Sequence, residues 1–124
     1  MSLILVAAGG AAGAVARYFI DTWVTGHVQG PFPWGTFVIN ISGSFALGLL
    51  FGLAIERAIL PADIRAPLMI GFLGAYTTFS TLMLETWRLW ESGGHVPALL
   101  NLVGSSVLGM VAAVAGLALA RAFA

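Results

Sequence analysis

Ten charged residues divide this 124-residue chain into long uncharged runs, and that division constrains the fold more than any other feature. The runs are residues 1–16, 22–55, 66–84 and 92–120, and the charges are Arg17, Asp21, Glu56, Arg57, Asp63, Arg65, Glu85, Arg88, Glu91 and Arg121. A helix that crosses the hydrocarbon core of a bilayer needs roughly 20 apolar residues. Each run therefore holds one span, the first with Arg17 snorkelling from its end. Soluble domains carry about 25% charged residues, whereas this sequence is 8% charged and 60% hydrophobic, with a mean hydropathy of +1.00. It reads as an all-α integral membrane protein: one domain over 1–124, with four transmembrane helices at about 2–20, 35–55, 66–90 and 96–121. The first run lacks the positive start of a signal peptide and is followed by further spans, so it counts as helix one.

Several function classes drop out early. There is no cysteine, which removes disulfides, thiolate metal sites and thiol catalysis. Net charge is zero without a Lys or Arg cluster, so nucleic acid is not an expected partner. His27 and His95 fall in loops without a second ligand at helical spacing. Every acid lies at a span end, so neither paired carboxylates nor a nucleophile with its base is assembled, and no enzyme is expected. A proton-coupled exporter normally carries an acid within a span, and the four runs have none.

With four spans, Arg57, Arg65 and Arg121 share one side of the membrane and Arg17 and Arg88 the other. So even a distribution permits insertion both ways up under the positive-inside rule, and hence an antiparallel dimer. Short loops giving a weak signal explain it equally well.

The polar residues inside the spans are few and patterned. Gly9 and Gly13 let a second helix approach helix one, and Arg17 ends that helix as an interfacial anchor or an anion funnel. The first loop, with Gly30, Pro31, Pro33, Trp23, Phe32 and Trp34, reads as a turn in the aromatic belt. Asn40, Ser44, Gly48 and Gly52 follow one another at four-residue intervals down one face of helix two, as a packing seam or with Asn40 as a donor to an anion. In helix three the stretch GFLGAYTTFSTL, Gly71 to Leu82, combines two glycines with four hydroxyls, and Glu85 follows Thr81 by one turn. Such a weak helix survives in a membrane only where protein or a wet cavity surrounds it. Helix four adds Asn101, Ser105 and Ser106, with Ser105 and Gly109 as a small-residue seam. Hydroxyl and amide hydrogens with the ring edge of Phe79 suit a small, strongly hydrated anion, because they replace its water without a fixed charge that would trap it. Carbonyls freed at a helix break suit a cation. Back-bonding of each hydroxyl to its own helix is the plainer alternative.

The run TTFST at Thr77 to Thr81 after GFLG at Gly71 to Gly74, with GTFVINISGSFALG at Gly35 to Gly48 and GGAAGAVARY at Gly9 to Tyr18, resembles the Fluc fluoride channels, also called CrcB proteins. The resemblance implies a dual-topology, antiparallel dimer of four-helix subunits, with the third helix broken near Gly74 to Thr78 and with two pores. It also implies a structural sodium ion at the dimer centre, held by the carbonyls of Gly74 and Thr77. It makes Asn40 the pore amide, Phe79 the first ring of a phenylalanine pair, Ser80 and Thr81 the hydroxyls that pass fluoride along, and Arg17 a residue near the vestibule, where Glu85 is expected as well. Leu82 stands where the family usually has a second phenylalanine. Ser106 begins a polar track on helix four that Met110 and Val114 do not continue. The expected function is passive efflux of cytoplasmic fluoride through the cell (inner or plasma) membrane by a homodimer, or by a heterodimer in which a different subunit supplies the missing contacts. The competing expectations are a small dual-topology drug exporter and a non-conducting assembly subunit.

Overall fold

The computed structural model describes residues 2–123 and is helical almost throughout; Met1 and Ala124, the ends of the expected domain, lie outside the described residues. Helix α1 runs Ser2–His27, and α2 runs Trp34–Phe51 and continues as a π-helical turn, Gly52–Glu56. The third span is composite: α3 (Ala62–Ala66), a π-helical turn Pro67–Phe72, α4 (Leu73–Tyr76) and α5 (Phe79–Glu91). The fourth comprises α6 (His95–Leu99), a π-helical turn Leu100–Gly104 and α7 (Ser105–Ala122). Four stretches are long and apolar enough to cross a bilayer: Leu3–His27, Trp34–Glu56, Ala62–Glu91 and His95–Ala122.

The first helix departs most from expectation, passing Ile20 and ending at His27. Asp21 does not stop it, because its carboxylate has a place to go. Gly35 at the start of α2 has no side chain, and a Cβ there would collide with Asp21 Oδ1. The carboxylate thus sits against a helix N-terminus, whose dipole favours negative charge. Two consequences follow. Trp23 is helical rather than in the loop, stacked on His27 with ring centroids 4.3 Å apart. Arg17 lies inside the helix rather than at its end, so it does not snorkel to that boundary.

Lipid offers no hydrophobic force between helices, so close backbone approach must hold them together. Gly9 and Gly13 pack on the carbonyls of Pro67 and Phe72, and Gly71 packs on that of Val6; a Cβ at any of the three would meet backbone. The second seam joins α2 to α7, with Gly48 on the Ala113 carbonyl, Gly116 on the Phe45 carbonyl and Gly52 on Ala120. Where the seams meet, Ile39, Leu73 and Tyr76 form a buried cluster packed by Ala16, Ile20, Ala46, Leu50 and Phe72. At one end Glu56 takes a bidentate pair from Arg121, 2.8 Å to each oxygen, and Arg57 donates to the Arg121 carbonyl.

Candidate functional site

The site is built where α4 gives way to α5. Thr77 (φ −82°, ψ 156°) and Thr78 (φ −148°, ψ 113°) are extended, so the chain takes a two-residue step between the helices. An extended residue in a span leaves backbone groups to be satisfied from elsewhere. Asn40 on α2 supplies them: its Oδ1 accepts from the Thr78 amide at 2.8 Å, and its Nδ2 donates to the Thr78 carbonyl at 3.1 Å. The side-chain amide pairs with Thr78 as a neighbouring strand would. Gly43, one turn along α2, is buried with the Thr77 methyl and the Tyr76 ring against it, leaving no room for a Cβ. Ser42 and Tyr76 hold the same junction, with their hydroxyls 2.8 Å apart.

This pairing redistributes the helical hydrogen bonds. In a continuous helix the Thr78 amide would donate to the Gly74 carbonyl, and the Thr81 amide to the Thr77 carbonyl. Here the first goes to Asn40 and the second to Thr78 Oγ1 at 3.3 Å, which makes Thr78 the N-cap of α5. The Gly74 and Thr77 carbonyls thereby lose their helical donors, and a pair of neutral oxygens of that kind is what a hard cation takes. The Ala75 carbonyl is met by Arg17 Nε at 3.1 Å, so the arginine reaches across from α1 and caps the end of α4. The first amides of α5 form the positive end of a helix dipole, a few residues from the freed carbonyls.

Beside the step lies an open groove of about 460 Å³ lined by Asn40, Ser44, Gly74, Thr77, Phe79 and Leu82, and completed from α7 by Ser105, Ser106 and Gly109. None of its lining residues is charged. Phe79 is 74% exposed, whereas Leu82 is 7% exposed. The hydroxyls divide into spent and free. Thr77 Oγ1 donates back to the Leu73 carbonyl at 2.9 Å, and Ser106 Oγ to that of Leu102 at 2.8 Å. The plainer expectation of back-bonding thus describes those two. Thr78 Oγ1 donates to Thr81 Oγ1 at 3.0 Å, which leaves the Thr81 hydrogen available, and Ser80 is exposed.

Asn40, Gly74, Thr77, Phe79, Leu82 and Ser106 therefore share one groove, while Ser80 and Thr81 sit on α5 beyond its lining. Arg17 and Glu85 are not brought together. Glu85 lines a separate cavity of about 390 Å³ with Arg88, Thr25 and Ser92 beneath the first loop. Its neighbours include Thr36 and Asp21, and its Oε1 is buried without a partner. Both acids lie inside helices, six residues from the ends of α1 and α5, rather than at the span boundaries. The groove itself contains no acid. Sequence reasoning missed the grip of Asn40 on Thr78; Ser105, which it counted both in a packing seam and among the hydroxyl donors, lines the groove.

Four apolar spans, a third one stepped at two threonines and a neutral groove of amide and hydroxyl donors define a multi-pass membrane protein built to handle a small ion. The family model for the CrcB-like protein, Camphor Resistance (CrcB), matches residues 4–117, and the chain belongs to that family. Among curated relatives, a fluoride-specific ion channel FluC of Methylococcus capsulatus is 48% identical over the whole chain, which spans 54% of that protein's length. FluC 1 of Symbiobacterium thermophilum is 48% identical over 96% of this chain and 97% of its own length. FluC of Magnetococcus marinus is 46% identical, with 98% of each chain covered.

Proposed function

We propose that this chain is a fluoride-selective channel that lets fluoride leave the cytoplasm passively across the plasma membrane. The observation that carries the reading is the uncharged groove beside the Thr77–Thr78 step, lined by the Asn40 amide and the hydroxyls of Ser44 and Ser105 without a fixed charge. Fluoride is small and strongly hydrated; donors of this kind replace its water, and the absence of a cationic side chain in the groove lets it leave again. The names of the relatives support the same ion.

The functional unit is an antiparallel dimer with two pores, in which a second copy covers the groove and the exposed Phe79 ring. The four tryptophans support this pairing: Trp23, Trp34, Trp87 and Trp90 all flank the first and third loops, at one end of the bundle. Aromatic belts belong at both faces of a bilayer, and two oppositely inserted copies provide one at each. The Gly74 and Thr77 carbonyls of both copies fit a sodium ion on the dimer axis, because their amide donors are diverted. When bound, the ion supplies a fixed positive charge and joins the two steps. Asn40 acts chiefly by shaping the Thr78 backbone, and its second Nδ2 hydrogen remains for the anion.

Bacteria stripped of their own fluoride export test the reading. Expression of this chain restores growth in fluoride-containing medium, and failure to restore it with the protein present in the membrane refutes the function.

A further inference from the structure

We infer that Asn101 and Ser105 hold one ordered water molecule beside Leu82, and that this water presents a hydrogen-bond donor to the groove. Asn101 is 0% exposed, and its Nδ2 donates to Thr86 Oγ1 at 2.9 Å. Its Oδ1 is buried and unpartnered, and so is Ser105 Oγ on a residue 5% exposed. Ser105 also lines the groove, as Leu82 does, so the buried pair borders an existing opening. Buried polar groups in folded proteins are almost always hydrogen-bonded, and two orphans one turn apart point to a shared missing partner.

The chemistry of the two atoms selects that partner. An amide oxygen only accepts, so it repels an anion, and the cavity holds no carboxylate that would retain a cation. Water fits both. The two atoms belong to residues on successive turns of one span, and a molecule making two hydrogen bonds of about 2.8 Å bridges oxygens up to about 5.6 Å apart. The water gives one hydrogen to Asn101 Oδ1, accepts the Ser105 hydroxyl hydrogen and directs its second hydrogen into the groove. The π-helical turn Leu100–Gly104 carries Asn101 and ends at Ser105, and such turns recur at functional sites. The water thus stands where aliphatic Leu82 offers no donor of its own.

The role in conduction rests on the fluoride-channel reading; the water site does not. A high-resolution structure of the purified protein tests the site, and density within hydrogen-bond distance of both atoms is expected. An empty site there overturns the inference. In proteoliposome efflux with a fluoride electrode, Ser105→Ala lowers the fluoride rate roughly tenfold against wild type, the worth of about one hydrogen bond, while Ser105→Thr keeps it. Wild-type rates in Ser105→Ala overturn the conduction role. A wild type that conducts no fluoride refutes the channel reading instead, and the density still decides the water.

Discussion

Asn40 does its work through the backbone of a residue 38 positions away. Removing its side chain leaves the Thr78 amide unpaired inside a span, at about 1–3 kcal/mol for an unsatisfied group, whereas the Thr78 carbonyl, as the N-cap of α5, keeps its helical donor. Asn40→Ala therefore lowers the thermal unfolding midpoint in detergent and reduces fluoride flux together; an unchanged midpoint would show that the pairing does not hold the step. Phe79 and Leu82 separate in a different way. Phe79→Ile removes an exposed ring edge and impairs flux, whereas Leu82→Phe inserts a ring toward a groove with room for it and impairs flux less; equal losses in proteoliposomes would contradict an aromatic role. The chemistry of this site was legible in the sequence, because an amide and clustered hydroxyls in an apolar chain have few uses. The partners were not, since a pairing between Asn40 and Thr78 exists only once two spans are packed. The backbone bonds of Thr77 and Ser106 are local, and the general tendency of hydroxyls to bond their own helix anticipated them.

At the scale of elements, two glycine seams set the spacing of four spans. Gly48→Ala drives a Cβ into the Ala113 carbonyl, and overpacking of this kind costs about 1–3 kcal/mol. Gly26 has nothing within 4 Å, so Gly26→Ala is neutral or stabilising through helix propensity. Unfolding in detergent distinguishes the two, and equal midpoints would remove the seam from the account. The spans themselves were readable from hydropathy alone. The end of α1 was not, because Asp21 looks like a boundary until Gly35 provides a cavity for its carboxylate, and a charge in the last turns of a helix is invisible to a count of uncharged residues. Gly71 marks a close approach to Val6, and the extended step falls at Thr77 and Thr78.

For the whole molecule, placing Arg17 inside α1 changes the charge tally. Arg57, Arg65 and Arg121 remain at one end and Arg88 at the other, so the distribution is less even than the sequence implied. The one-sided tryptophans argue for two orientations nonetheless. Labelling of single-cysteine variants in native membranes is expected to find both orientations, and a single orientation contradicts the antiparallel pairing. Replacing sodium by a bulky organic cation lowers the thermal stability of the purified protein if Gly74 and Thr77 hold the ion; no change would leave those carbonyls without that role. What crosses the groove decides the function. The direct measurement is efflux from proteoliposomes loaded with fluoride or chloride and held without any proton gradient: rapid fluoride loss with negligible chloride loss is predicted, and equal loss of both ions, or loss of neither, would contradict it.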